Sequence, residues 1–176
     1  MSDKRKDSGM SDKKNALYVK DSGMSDKKKA LYVKDLGWKF TKVLDGDTFS
    51  FELPKNPALT PKLRKLSVRV LGIDTPEKGF RGKCEQEKIL GQKATDFAKD
   101  LFDFVDAIEL LDLKWDKYGG RVNATVIITI KDKKYNYTEL LIQNKCAFSY
   151  DGGTKQSWCE PKIDLEKCCN FEDLPL

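Results

Sequence analysis

The chain has 176 residues, with 33 Lys and Arg against 28 Asp and Glu, five cysteines and no histidine. That length suits one domain with some tail, and no stretch approaches the eighteen or so apolar residues of a membrane-spanning helix. The net charge of +5 divides into +4 over 1–36, +4 over 37–159 and −3 from 160 onward, so the body is mildly basic, compatible with a polyanion partner without proving one.

The first 36 residues repeat themselves. "MSDKKNALYVKDSG" (10–23) is followed by "MSDKKKALYVKDLG" (24–37), and "MSDKRKDSG" (1–9) is a shortened third copy. Fourteen residues with only five or six apolar ones cannot close a core, and three copies match no solenoid period. A largely disordered leader is expected over 1–36. Its polar start shows no apolar signal segment, which favours an intracellular location and reduced cysteines.

A domain is expected over 37–153. "WKFTKVL" and "TFSFEL" flank Asp45-Gly46-Asp47 and read as two strands of a hairpin with an Asp-Gly turn. "KLSVRVLGI" (65–73) reads as a third strand, with Val68 and Val70 on one face and Arg69, Leu71 and Ile73 on the other. A helix follows in 85–105, where Ile89, Ala94, Phe97, Ala98, Leu101, Phe102 and Val105 fall at helical spacing. "AIELLDLKW" and "RVNATVIITI" are strands four and five, joined by "DKYGG". After the polar turn 131–134, 137–146 reads as a second short helix. The tail 154–176 is expected to be loop, partly packed, with room for one more helical turn. Its Cys159, Cys168 and Cys169 lack paired C-x-x-C spacing, and no histidine can complete a zinc site. Five short strands with a helix after the third give an α+β fold, the five-stranded Greek-key OB barrel with two to three helices.

The acids and arginines then need one explanation. Asp45, Asp47, Asp74 and Glu77 lie at the ends of strands one and three, which run parallel because strand two reverses the chain between them. Hard oxygen donors without histidine suit Ca²⁺ or Mg²⁺. Taken singly, "DGDT" is a turn, "DTPE" a strand exit, and Arg69 a snorkelling side chain. Taken together they match what phosphodiester cleavage requires: a cation on the phosphoryl oxygens, a base for water, and fixed positive donors for the developing charge. Arg69 and Arg121 offer the guanidinium forks, and Glu77 the base.

"VLDGDTF", "VRVLGIDTPE", "CEQEKILGQKATDFAKDLF" and "DKYGGR" resemble the thermonuclease family, whose type member is staphylococcal nuclease, over about residues 38–153. The resemblance implies an OB-fold with one Ca²⁺ and phosphodiesterase activity on DNA and RNA. Single-stranded regions would be preferred, 3′-phosphate ends left, and a monomer is the default. Carried over by motif, Asp47 and Asp74 would ligate Ca²⁺ with the carbonyl of Thr75, and Asp45 would sit behind them through water. Glu77 would be the general base, and Arg69 and Arg121 would hold the scissile phosphate. Lys117, Tyr118 and Tyr150 would bind substrate. The rival reading is an OB-fold module that grips single strands without cutting them.

Two spacings need bending. Gly120 adds a residue between the "DKYG" turn and its arginine, which requires a bulge to keep Arg121 on the working face. Arg69 and Asp74, five apart, face opposite ways on a regular strand. Irregular backbone is therefore expected between Leu71 and Asp74.

Overall fold

The fold begins at the first hairpin. The computed structural model describes residues 31–117 and 120–174. Strand β1 (Lys39–Asp45) turns through Gly46 and Asp47 into β2 (Thr48–Glu52), which buries Phe49 and Phe51 completely. β2 pairs antiparallel with β3 (Lys65–Val70). A two-residue strand, β4 (Ile73–Asp74), leads through a 3-10 turn at Gly79–Arg81 into helix α1 (Glu85–Phe102). Then come β5 (Ala107–Trp115), β6 (Arg121–Ile130), β7 (Lys133–Asn136), helix α2 (Tyr137–Gln143) and a short β8 (Phe148–Ser149).

The sheet runs β1-β2-β3-β6-β5, with β7 paired to β6. All long pairings are antiparallel except β3 with β6. A parallel pair needs a long crossover, and α1 with β5 supplies it. Register shifts in β1 and β5, the latter at Asp112 with φ 55°, mark where the sheet curls. The result is a mixed sheet curled into a half-barrel with two helices, the OB-type α+β barrel that the sequence predicts, and its five long strands are the five expected.

Helix α1 forms because its apolar residues recur at helical spacing and its ends are suited to it. Cys84 caps the start, Glu85 and Glu87 occupy the first turn and Lys99 the last, each complementing the helix dipole. Ala94, Phe97, Ala98, Leu101 and Phe102 enter the barrel core. Inside, Phe40, Phe49, Phe102 and Tyr137 form one aromatic cluster, with ring centroids 4.6 to 6.2 Å apart. Truncating Phe49 to Ala would cost about 3–5 kcal/mol by the usual cavity penalty.

Several boundaries differ from expectation. The helix stops at Phe102 rather than Val105, and Leu90 is buried where Ile89 was expected, Ile89 lying outside. Ile73 is buried with Val68 and Val70, because the strand breaks before it. Residues 31–36, read as leader, pack on the barrel. Val33 is buried in the core and bonds through its N–H to the Trp38 carbonyl, while Lys34 donates to the Ile108 carbonyl. The rest of the leader, 1–30, lies outside the described residues.

The cysteines also depart from the reduced default. Cys84 pairs with Cys159 and Cys146 with Cys169, at Cα separations of 5.9 and 5.0 Å, while Cys168 is a buried free thiol. The first pair ties the tail to the start of α1. Trp158 stacks on Phe148 at 3.8 Å, and Leu90, Trp158 and Cys168 form a small second core there. Gln86 reinforces it, donating to the carbonyls of Trp158 and Pro161 and accepting from the Ile163 N–H. No helix among the described residues is long and apolar enough to cross a membrane.

Candidate active site

Everything at the site follows from the break in the third strand. β3 ends at Val70, and Gly72 takes φ 83°, a conformation that side chains disfavour. Thr138 on α2 holds the turn by donating to the Leu71 carbonyl, and the Tyr150 N–H donates to the Gly72 carbonyl. The chain then pairs Ile73–Asp74 with Phe148–Ser149. This is the irregular backbone that the spacing of Arg69 and Asp74 demanded, and it turns both toward one point.

Arg69 sits opposite Thr48 in the β2–β3 ladder, one residue beyond the hairpin turn that carries Asp47. Its Nη2 lies 3.0 Å from Asp47 Oδ2 and 3.6 Å from Asp74 Oδ1, so one guanidinium spans the two buried carboxylates. Thr48 Oγ1 donates to the other oxygen of Asp47 at 2.9 Å. Thr75 is buried beside the Gly46 turn, and Tyr137, buried beneath, donates to the Gly46 carbonyl at 2.7 Å.

A second arginine spans the other two acids. Arg81 Nη2 is 3.5 Å from Asp45 Oδ2, and its Nε is 3.3 Å from Glu77 Oε2. Glu77 is half-exposed at the edge of a cleft. Its backbone is fixed from behind, where buried Glu87 accepts the N–H groups of Glu77 and Lys83 at 3.4 and 2.7 Å. Helix α1 passes so close that a Cβ on Gly91 would stand 2.6 Å from the Glu77 carbonyl carbon. Only glycine fits there, and the helix thereby braces the acid.

Arg121 is the first residue of β6. Its register partner is Ser67, while Arg69 partners Asn123, and the alternate residues Val122 and Ala124 are buried. Strand parity therefore places Arg121 on the same face as Arg69, one diagonal step away. Gly120 takes φ 80° and absorbs the added residue before β6 starts. Arg121 forms an ion pair through Nε with Asp116 of its own hairpin. Lys117 is exposed in that hairpin, and Tyr118 lies outside the described residues. Tyr150 is half-buried, with the Lys155 amine 5.8 Å above its ring.

Four groups at the site were not singled out from the sequence: Arg81, Glu87, Lys155 and Trp158. Lys155 Nζ is 2.5 Å from Asp74 Oδ1, and Trp158 Nε1 donates to Asp74 Oδ2 at 3.4 Å. Glu87 had a faint signal, an acid in the first turn of the helix, where it complements the dipole. Arg81 had a weaker one, being four residues after Glu77. The tail residues, more than eighty positions from Asp74, had none.

Burial and crowding set the electrostatics of the acids. Burial pushes the Asp47 carboxyl up to about 7, against the pull of Arg69 and with a further push from Asp45. Tyr137 is held well above its ordinary value by burial and by the same two acids. Asp45 Oδ1 is buried with no hydrogen-bond partner among the described residues. Clustered carboxyl groups, an orphaned carboxylate oxygen and oxygen-only donors fit a hard divalent ion. Asp47, Asp74 and the carbonyl of Thr75 are the groups that could hold one, with Asp45 behind. A second group of metal-capable donors, Cys84, Glu87 and Cys159, is closed by the bond between its two sulfurs.

The fold and site thus define an OB-type domain whose outer face gathers acids and arginines at one corner. Residues 67–166 match the family model described as staphylococcal nuclease homologue, and the chain belongs to that family, a family of nuclease domains. The match runs from β3 to the tail and takes in Arg69, Asp74, Thr75, Glu77 and Arg121, leaving the Asp45–Asp47 turn just outside it. Nothing among curated proteins matches the chain.

Proposed function

We propose that this protein is a Ca²⁺-dependent nuclease that hydrolyses phosphodiester bonds of DNA and RNA, prefers single strands and leaves 3′-phosphate ends. The observation that carries the reading is Arg69 spanning Asp47 and Asp74. A structural ion pair needs one acid. An arginine between two buried acids, beside a third whose oxygen lacks a partner, suits a site where a cation and a phosphate meet.

A bound Ca²⁺ would supply positive charge to polarise a phosphoryl oxygen. Arg69 carries five N–H donors, enough to hold its two acids and still meet phosphate oxygens. Arg121, on the same face, would stabilise the charge that grows on the phosphorane-like transition state. Glu77, at the cleft edge with its backbone braced by Glu87, would take the proton from an attacking water. The water oxygen bonds to phosphorus and the bond to the 5′ oxygen breaks. The phosphate then stays on the 3′ carbon, and the departing oxygen takes a proton from solvent. Lys117, Tyr118 and Tyr150 would engage the strand, and unpaired bases suit aromatic contact better than a stacked duplex does.

The test is degradation of denatured DNA at millimolar Ca²⁺, repeated with EGTA and with Glu77→Ala. Chelation should abolish cutting, and the variant should lose roughly 10²–10⁴-fold in kcat. Protein that binds single strands yet never cuts them would be a binding module. Cutting that survives EGTA would remove the cation from the account.

A further inference from the structure

The tail meets the proposed cation site at Asp74, as deeply buried as Asp47. Asp74 is 3 % exposed, and its two oxygens are divided between partners. Oδ2 accepts the Trp158 indole N–H. Oδ1 has only ionic neighbours, Lys155 Nζ at 2.5 Å and Arg69 Nη2 at 3.6 Å, neither with the directional geometry of a hydrogen bond. Trp158 is a fixed partner: it is buried, stacked on Phe148, and followed directly by the Cys84–Cys159 bond. Lys155 is a movable one. Its side chain is 45 % exposed and reaches Asp74 across a cleft of about 370 Å³ lined also by Glu77, Arg81 and Trp158.

A cation that uses Asp74 must therefore contend with an amine already on Oδ1. A long flexible side chain at a cleft mouth can swing away at little cost, whereas Arg69, fixed in β3 and shared with Asp47, cannot. We infer that Lys155 is the exchangeable counter-ion of the cation site: it neutralises Asp74 in the metal-free protein and withdraws when a divalent cation is bound. The inference rests on the functional reading above and adds a sign that the reading does not contain. Lys155 touches a proposed ligand, yet its charge weakens metal binding.

That sign separates the counter-ion role from a structural one. If Lys155 merely held the tail in place, its loss would loosen Asp74 and weaken binding. If it competes for Oδ1, its loss strengthens binding.

The experiment is calorimetric titration of the full chain with Ca²⁺ alone, without nucleic acid, for wild type, Lys155→Met and Lys155→Arg. Thermal melts establish that each is folded, and Lys155→Gln replaces the Met variant if that one is not. The expected result is a dissociation constant about tenfold lower for Lys155→Met, with Lys155→Arg within about threefold of wild type, as expected when one close like charge is removed or kept. Unchanged or weaker binding by Lys155→Met overturns the inference while leaving the cation site standing. Absence of Ca²⁺ binding in wild type and variants alike overturns both.

Discussion

The two arginines on the working face are held in different ways. Arg69 lies within β3 with hydrogen-bonded strands on both sides, and only 18 % of its side chain is exposed between two buried acids. Arg121 opens β6 at the edge of a hairpin, is 39 % exposed, and is paired with one acid from its own turn. The first is fixed by contacts spanning the barrel and the second by a local loop. A rigid group meets a transition state without reorganisation, while a loop-held group must be drawn into place by substrate. The Arg69 side is therefore where most of the rate should reside, and the Arg121 side is where substrate contact should tune it.

Substitution tests that contrast directly. Arg69→Ala should lower kcat by roughly 10³-fold or more, since it removes a transition-state donor and leaves two buried acids facing each other. Measured turnover within tenfold of wild type would mean that Arg69 is structural.

Next in size is a stability effect confined to the Arg69 side. Burial pushes the Asp47 carboxyl up to about 7 in the folded protein, against 3.8 in an ordinary setting. The folded state therefore keeps a proton that the unfolded chain releases first. The stability this group contributes is full below about pH 4 and is lost as pH rises towards 7. Asp47→Asn should flatten that decline, leaving the metal-free variant more stable than wild type at pH 8 by on the order of 2–4 kcal/mol. Denaturant melts at pH 4 and pH 8 in EGTA would check it, and equal pH slopes for the two proteins would contradict it.

The smallest effects belong to the hairpin. Arg121→Ala should cost about 10²-fold in kcat/KM and Lys117→Ala only a few-fold, as a transition-state donor and a peripheral charge would. Equal small losses in steady-state kinetics would show that Gly120 had not returned the arginine to the working face.

How much of this the residues disclose depends on sequence distance. The hairpin around Gly46, the span of α1 and the five long strands were legible because alternation and helical spacing are local signals. The bend at Gly72 was legible too, since Arg69 and Asp74 could not otherwise meet. Ile73 was misplaced for the same reason: a strand drawn straight through the bend reverses its faces. Val33 was hidden because its leader copy has too few apolar residues to announce a core, although Val33 itself is buried there. The cystine pairs, Lys155 and Trp158 were hidden because their contacts join residues 23 to 84 positions apart, and nothing local marks which cysteine or lysine will arrive.

The two-residue strand that carries Asp74 has a consequence in time. Its only sheet partner among the described residues is Phe148–Ser149, and the groups that seat the carboxylate come later still, at Lys155 and Trp158. Most barrel strands can pair before those residues exist, but Asp74 cannot be set. A chain made only as far as β7 would thus hold the strands of its main sheet without the partners that seat Asp74.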